Sequence, residues 1–355
     1  MNEATIKVIE VDKIGSATSP LAVQKTVAIV DACETPRAGD VIVVRAITDS
    51  ATYNMLELPT GRLAKINPGD LLLGVLGQRR ALKGFVGNVP SVVHAGDELQ
   101  LLNMGGVIGC CTGHHSSLGD AIRVEVLGLA CDEDGRVANI GDAALPARQS
   151  LGECAPLVMI AGTSMNSGKT FAATELIQQA TRAGFKVAAG KLSGIACLRD
   201  TLNMGDHGAV STASFLDCGL PSTVDAGDLA PVAKAIIGRL NECGPDLIVI
   251  EMGDGVLGGY SVESIFDDAE LRQATAATIF CAADYVGAWG GIELLARRGI
   301  RVDLVSGSVT DSQMGQDYIE REFGIPAANA RRNGKRLFEI VSSKMMERLS
   351  TPELV

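Results

Sequence analysis

A polyphosphate asks three things of a protein: backbone N–H groups that reach it unhindered, a cation that can move with it, and an oxygen for the accompanying metal. Residues 161–170, AGTSMNSGKT, supply all three in order, although one residue more separates Gly162 from Gly-Lys-Thr than the usual G-x-x-x-x-G-K-[ST] spacing has. The apolar run LVMIA precedes the stretch and KTFAATELIQQATRA, with apolar positions at helical spacing, follows it. The backbone N–H groups of Ser167, Gly168 and Lys169 would then lie at the positive end of a helix, where they attract phosphate oxygens. Lys169 would sit in a solvent-filled loop between the β- and γ-phosphates, with Thr170 offering its hydroxyl to Mg²⁺. The nucleotide-binding set is Gly162, Thr163, Asn166, Ser167, Gly168, Lys169, Thr170 and Phe171.

A hard cation also needs a carboxylate. DLIVIEMGDG, residues 246–255, reads as a buried strand that delivers Glu251 at its end, with Asp254 just beyond. GKLSGIACLRDTLNMGDHGAVSTASFLDCGLPSTVD, residues 190–225, follows another short buried strand and is long, polar and broken by glycines. A segment of this kind at the carboxyl edge of a sheet is where open α/β folds bind ligands. It contributes Lys191 and Ser193 at the strand end, then Arg199, Asp200, Asp206 and His207. Solvated ion pairing, Arg199 with Asp200 for example, is the alternative for this stretch.

GTSMNSGKT resembles the GT-x-x-x-x-GKT loop of dethiobiotin synthetase and the related cobyrinate amidating enzymes, which share the longer spacing. The resemblance covers the loop and the strand order around it. It implies that Lys191 handles phosphate and substrate, that Glu251 faces the metal and that Asp206 also contacts Mg²⁺. Those enzymes have Glu-Gly-Ala-Gly-Gly where this chain has Glu-Met-Gly-Asp-Gly, which leaves Asp254 without a matching role. DHGAVSTASFLDCGLPST is similar to a stretch of the D-glutamate N-acetyltransferase family, and implies a loop that grips the pyrophosphate of coenzyme A instead.

These residues need a rigid frame. After residue 153, short buried strands (LVMIA, KVAAG, DLIVIE, ATIFCAAD, RVDLVSG) alternate with amphipathic helices, the pattern of a parallel sheet covered on both faces. The fold class expected is therefore α/β: a P-loop NTPase-type parallel sheet flanked by helices over 153–355, preceded by a mainly-β, barrel-like domain over 1–145. In that first domain the turns RAGD, NPGD and HAGD each precede a β-type run, because Gly supplies a left-handed position and Asp closes the turn. AALPARQSLGECAP, residues 143–156, with two prolines and no periodicity, marks the boundary.

The chain has 355 residues, a formal net charge of −11, 46% hydrophobic and 21% charged residues. That is a globular composition, long enough for two domains, and its acidity argues against nucleic acid and anionic membranes as partners. No leader and no membrane-length apolar run is read, so the cytoplasm is the expected location, and the nine cysteines read as reduced core thiols. GGVIGCCTGHHSS gathers cysteines and histidines, but adjacent residues such as Cys110 and Cys111 point to opposite faces of a strand, so zinc is not expected. His114 is instead a candidate substrate residue, as are Arg79 and Arg80 of GQRRALKG, whose alternative is a solvated hairpin tip.

The reading that follows is an ATP- and Mg²⁺-dependent enzyme that activates a small-molecule substrate by phosphoryl transfer, as kinase or carboxylate-activating ligase, with Lys169, Lys191 and Glu251 as its catalytic residues. ATP is expected because no Asn-Lys-x-Asp guanine-reading motif follows a sheet strand. An acyltransferase using coenzyme A and an NTP-hydrolysing switch or metallochaperone acting on a protein partner are the alternatives. Assembly into a homo-oligomer is compatible with all three.

Overall fold

The computed structural model describes residues 6–49 and 52–350. The chain forms two compact units, one made of residues 1–145, 195–199 and 215–224, the other of residues 146–194, 200–214 and 225–355. Two short pieces of the long polar segment thus belong to the β-rich unit and not to the α/β unit in which the sequence placed them.

In the first unit, β1 (Val41–Ala46), β2 (Leu71–Leu76), β3 (Glu98–Asn103), β4 (Val107–His114) and β5 (Arg123–Ala130) close on themselves. β1 pairs with β2, β2 with β4, β4 with β3, β3 with β5 and β5 with β1 again. Closure leaves these five strands without a free edge. Alternate residues point inward: Ile42, Val44 and Ala46 from β1, Leu72 and Leu76 from β2, Leu99 and Leu101 from β3, Val124 and Val126 from β5. A bulge between Val126 and Gly128 shifts the phase by one, so Leu129 faces the core. The β-type run TIKVIEV, residues 5–11, forms a strand over Lys7–Glu10, the first residue of the run lying outside the described residues.

The three Gly-Asp turns are built alike. Gly39, Gly69 and Gly96 have φ of 91°, 93° and 94°, and the carboxylates of Asp40, Asp70 and Asp97 accept the N–H of Arg37, Asn67 and His94 at 2.7, 2.6 and 2.7 Å. β1, β2 and β3 each start from one of them. Arg79 corrects the solvated-tip expectation: it is buried, its guanidinium donates to the Leu102 carbonyl, and it lies over the Tyr53 ring. Arg80 bonds to the Gly87 carbonyl and the Asn88 side chain. Both arginines donate to backbone carbonyls of the β-rich unit, those of Leu102 and Gly87.

The second unit is a six-stranded parallel sheet: β6 (Leu157–Gly162), β7 (Val187–Lys191), β8 (Ser211–Ser214), β9 (Leu247–Glu251), β10 (Thr275–Cys281) and β11 (Leu304–Ser306), in the order β8-β7-β9-β6-β10-β11. Every residue of β6, β9 and β10 is buried, as expected of strands covered on both faces. The helices are α1 (Lys169–Arg182), α2 (Arg199–Asp206), α3 (Ala230–Asn241), α4 (Val262–Asp267), α5 (Ala269–Ala274), α6 (Tyr285–Ala296), α7 (Gln313–Phe323) and α8 (Gly334–Ser350). α1 buries Ala172, Ala173, Leu176, Ile177 and Ala180 in one core with Leu337 and Val341 of α8, while α3 packs on β7 and β8. The segment 190–225, read as largely patternless, contains α2 and the edge strand β8, whose short polar sequence STAS gives no periodic signal. No described helix is long and apolar enough to cross a membrane.

Gly96 and Gly39 separate backbone strain from crowding. A Cβ on Gly96 meets nothing within 4 Å, whereas on Gly39 it would approach Asn139 Oδ1 to 2.8 Å, and that side chain is held by Gly141, Ala38 and Asp40. Gly96→Ala should therefore cost about 1–2 kcal/mol, the left-handed penalty alone. Gly39→Ala should cost distinctly more in urea unfolding, and equal losses would contradict this account of the turns.

Candidate functional site

β6 is an inner strand flanked by β9 and β10, and the loop that leaves its carboxyl end turns into α1. Asn166 (φ 64°) and Gly168 (φ 107°) both take left-handed conformations, which folds the loop back on itself. Gly168 must stay bare for a second reason: its Cβ would lie 2.9 Å from the Cα of Gly307, the residue that follows β11. Ser167 and Lys169 are buried, and the N–H groups of the first α1 residues have no side-chain cap. Uncapped donors at the positive end of a helix are what an anion requires.

Lys169 departs from expectation. Its side chain is only 5% exposed, and Nζ donates to the Ser164 carbonyl at 2.8 Å and lies 3.5 Å from Ser167 Oγ. Burial lowers its pKa, against the opposing pull of Glu251. The ammonium group is folded over the loop it belongs to.

Glu251 ends β9 in register with Ile160 of β6 on one side and Lys191 of β7 on the other. Thr170 Oγ1 donates to its Oε1 at 2.9 Å, while Oε2 is buried with no hydrogen-bond partner among the described residues. Burial raises the pKa of this carboxyl; Lys191, Lys169 and the Thr170 hydroxyl act in the opposite sense. A buried oxygen without a partner costs stability unless something absent from the bare chain, such as a water or a cation, completes it. The Thr170–Glu251 pair therefore fits a Mg²⁺ site, since a hydroxyl and a carboxylate are the hard oxygen donors this ion takes.

Beside it, Lys191 forms a partly buried ion pair with Asp200 in the first turn of α2. The second carboxylate assigned by resemblance, Asp206, is displaced by this arrangement. It ends α2, exposed, just before Val210 bonds to Val187 at the start of β7, so it lies toward the amino edge of the sheet, away from Thr170. His207 goes with it, its ring nitrogen 2.7 Å from the Asn203 carbonyl. An eight-residue helix about 12 Å long is the reason: it starts at the carboxyl edge and ends at the other. Ser193 is fully buried and spends its hydroxyl on the Gly253 carbonyl, 3.2 Å away. Asp254, at φ 59°, sits in the loop after β9, where its charge reaches Lys169. Arg199 belongs with the β-rich unit, near Cys197.

Phe171 is half exposed, with the Arg331 guanidinium 3.8 Å from its ring centre. Cys281, read only as a core thiol, ends β10 at the phosphate loop, and burial pushes its pKa up to about 12. Its carbonyl accepts the Thr163 N–H at 3.0 Å. Nothing in a single sequence marks Cys281 or Gly307, because only strand order brings them to the loop. In the β-rich unit, His114 lies 3.5 Å from Asp120 and borders an open groove of about 800 Å³ with Gln100, Cys111 and Arg123. Among the described residues no group of three or more His, Cys, Asp and Glu could hold a metal ion.

No family model matches the chain, and no curated protein matches it. Solved structures similar to part of it include the following three. The signal recognition particle 54 kDa protein from Aeropyrum pernix, in complex with GDP, is 17% identical with a TM-score of 0.36 over 57% of this chain and 51% of that one. A DUF1611 family protein from Anabaena variabilis is 14% identical, with a TM-score of 0.40 over 56% of this chain and 61% of that one. The signal recognition particle receptor FtsY from Elizabethkingia anophelis is 15% identical, with a TM-score of 0.36 over 60% of this chain and 75% of that one. The chain thus spans about half the length of the first and under two thirds of the second.

The raised carboxyl of Glu251 predicts a pH dependence for Mg²⁺. The ion needs the carboxylate, so below the raised pKa it must displace a proton, and its apparent affinity should climb with pH until Glu251 is ionised and then level off. Calorimetry in buffers of different ionisation enthalpy should show proton release on Mg²⁺ binding at the lower pH. In Glu251→Gln both the release and the slope should vanish; a slope that persists would move the metal to another carboxylate.

Proposed function

We propose that the protein is a Mg²⁺- and nucleoside-triphosphate-dependent enzyme that transfers a phosphoryl group to activate a small molecule, as kinase or ligase. The observation that carries this reading is the meeting of Lys169, Thr170, Glu251, Lys191 and Asp200 at the carboxyl ends of three adjacent strands. A phosphate-binding loop alone serves binding and switching equally well. A second, partly buried lysine next to the carboxylate adds positive charge where a transferring group would carry negative charge, and such catalysis is mostly positioning and electrostatics.

Each residue has a part in this scheme. The bare N–H groups of the first turn of α1 hold the phosphate chain, and Lys169 leaves the Ser164 carbonyl to follow the charge. Thr170 and Glu251 would hold Mg²⁺, which on binding neutralises phosphate charge and orients the triphosphate. Asp200 fixes the Lys191 ammonium group near Glu251, a restraint a flexible side chain needs if it is to stabilise a transition state. The dethiobiotin synthetase-like loop spacing supports the same reading. The cytoplasm as location, a metabolite as partner and a substrate role for the groove beside His114 remain parts of this proposal.

Lys169→Met, which keeps the buried aliphatic stem, should preserve folding by circular dichroism and weaken triphosphate binding at least about tenfold, the scale of a lost charge-assisted hydrogen bond. Asp200→Asn should leave nucleotide affinity nearly unchanged and lower substrate-dependent turnover instead. A screen of metabolites with nucleotide and Mg²⁺ separates the three chemistries. Turnover stimulated by a metabolite supports the proposal, acetyl-CoA binding without Mg²⁺ supports the acyltransferase, and stimulation only by a protein supports the switch.

A further inference from the structure

Four elements far apart in sequence meet on the side of the phosphate loop away from Lys191. Gly307 backs directly onto the loop: a Cβ there would lie 2.2 Å from the Ser167 carbonyl oxygen. The chain continues from Gly307 through a single 3-10 turn to Asp311, which is exposed. Asn329, 2% exposed, reaches across to it: Nδ2 donates to Asp311 Oδ1 at 2.8 Å and lies 3.3 Å from Thr310 Oγ1, while Oδ1 accepts the Arg332 N–H at 3.0 Å. Two residues beyond Asn329, Arg331 lies over Phe171, the residue that follows Thr170. Gly334 then runs against Glu175, one helical turn further along α1, so the whole segment lines the face of α1 that starts at the phosphate loop.

We propose that this is the nucleobase site and that it prefers guanine, with Asp311 reading the base edge and the Phe171–Arg331 stack supporting its face. The inference rests on the nucleotide reading above. A guanidinium already stacked on a ring offers its outer face to a third planar group. The side-chain amide of the buried Asn329 bonds to Asp311, Thr310 and the Arg332 N–H, which presents the Asp311 carboxylate to solvent as an acceptor in a fixed position. Guanine turns two donors, N1–H and the 2-amino group, toward such an acceptor. Adenine at the same edge has the N1 lone pair and no 2-amino group, so a carboxylate there repels it. The sequence lacks the Asn-Lys-x-Asp motif because the supporting amide comes from Asn329, 18 residues after the carboxylate.

Binding of GTP, ATP, xanthosine triphosphate and tripolyphosphate to the full chain with Mg²⁺, measured by calorimetry, tests this. GTP should bind about ten- to a hundredfold more tightly than ATP, the span of one charge-assisted hydrogen bond. Asp311→Asn should lose that preference and gain xanthosine triphosphate, whose 2-carbonyl accepts from an amide N–H; a merely structural role for Asp311 would not produce the gain. Arg331→Ala should weaken GTP and ATP together and leave tripolyphosphate unchanged. Equal affinity of the wild-type protein for GTP and ATP, or a GTP preference that survives in Asp311→Asn, overturns the base site while the phosphate loop stands. Failure of tripolyphosphate and of all three nucleotides to bind overturns both.

Discussion

A carboxylate buried between two lysines is the constraint around which the α/β unit is arranged. Glu251 can be ionised at the end of a fully buried strand only because Thr170, Lys169 and Lys191 stand next to it, the first two placed by the start of α1 and the third by the end of β7. The stretched loop sets Lys169 and Thr170 at the start of α1, and β7 delivers Lys191 in register. The turn after β7 returns Asp200 to close the pair. Removing any one partner leaves a buried charge or a buried orphan oxygen, which costs far more than the bonds themselves contribute. Glu251 Oε2 is itself buried with no hydrogen-bond partner among the described residues.

The β-rich unit solves a different problem with one repeated device. Each Gly-Asp turn spends a left-handed glycine and an aspartate on launching a strand, and the ring of strands that results has no edge to protect. Glu57, also fully buried, shows how this unit takes in part of the later chain. It accepts from Ser16 Oγ, from the Leu198 N–H at 2.7 Å and from Cys197 Sγ at 3.2 Å. Burial beside that carboxylate pushes the Cys197 thiol up to about 12, so it stays protonated and acts as a donor.

Much of the site was legible because local chemistry and local structure coincide there. A buried run, a glycine loop with Lys-Thr and an amphipathic helix follow one another in sequence, so Gly162 to Phe171 could be placed without knowing the fold. Glu251 and Lys191 were legible as strand ends for the same reason. Asp206 lies away from Thr170 because sequence distance from a strand end does not say which way a following helix runs. Asp200, six residues earlier, is the carboxylate that pairs with Lys191. Arg79 failed because a basic cluster in an acidic chain reads as surface, whereas its partners, the Leu102 carbonyl and the Tyr53 ring, are remote in sequence.

What the sequence determined by itself was the class of each half and the phosphate loop, since period, turn chemistry and helix capping act over a few residues. Which residues complete the loop was decided by tertiary structure. Strand order puts Cys281 and Gly307 against it, burial draws Lys169 in from solvent, and a side-chain amide joins Asp311 to Asn329 across 18 residues. These relations depend on non-neighbouring strands lying side by side and on charge leaving water, and neither leaves a local mark in the order of residues.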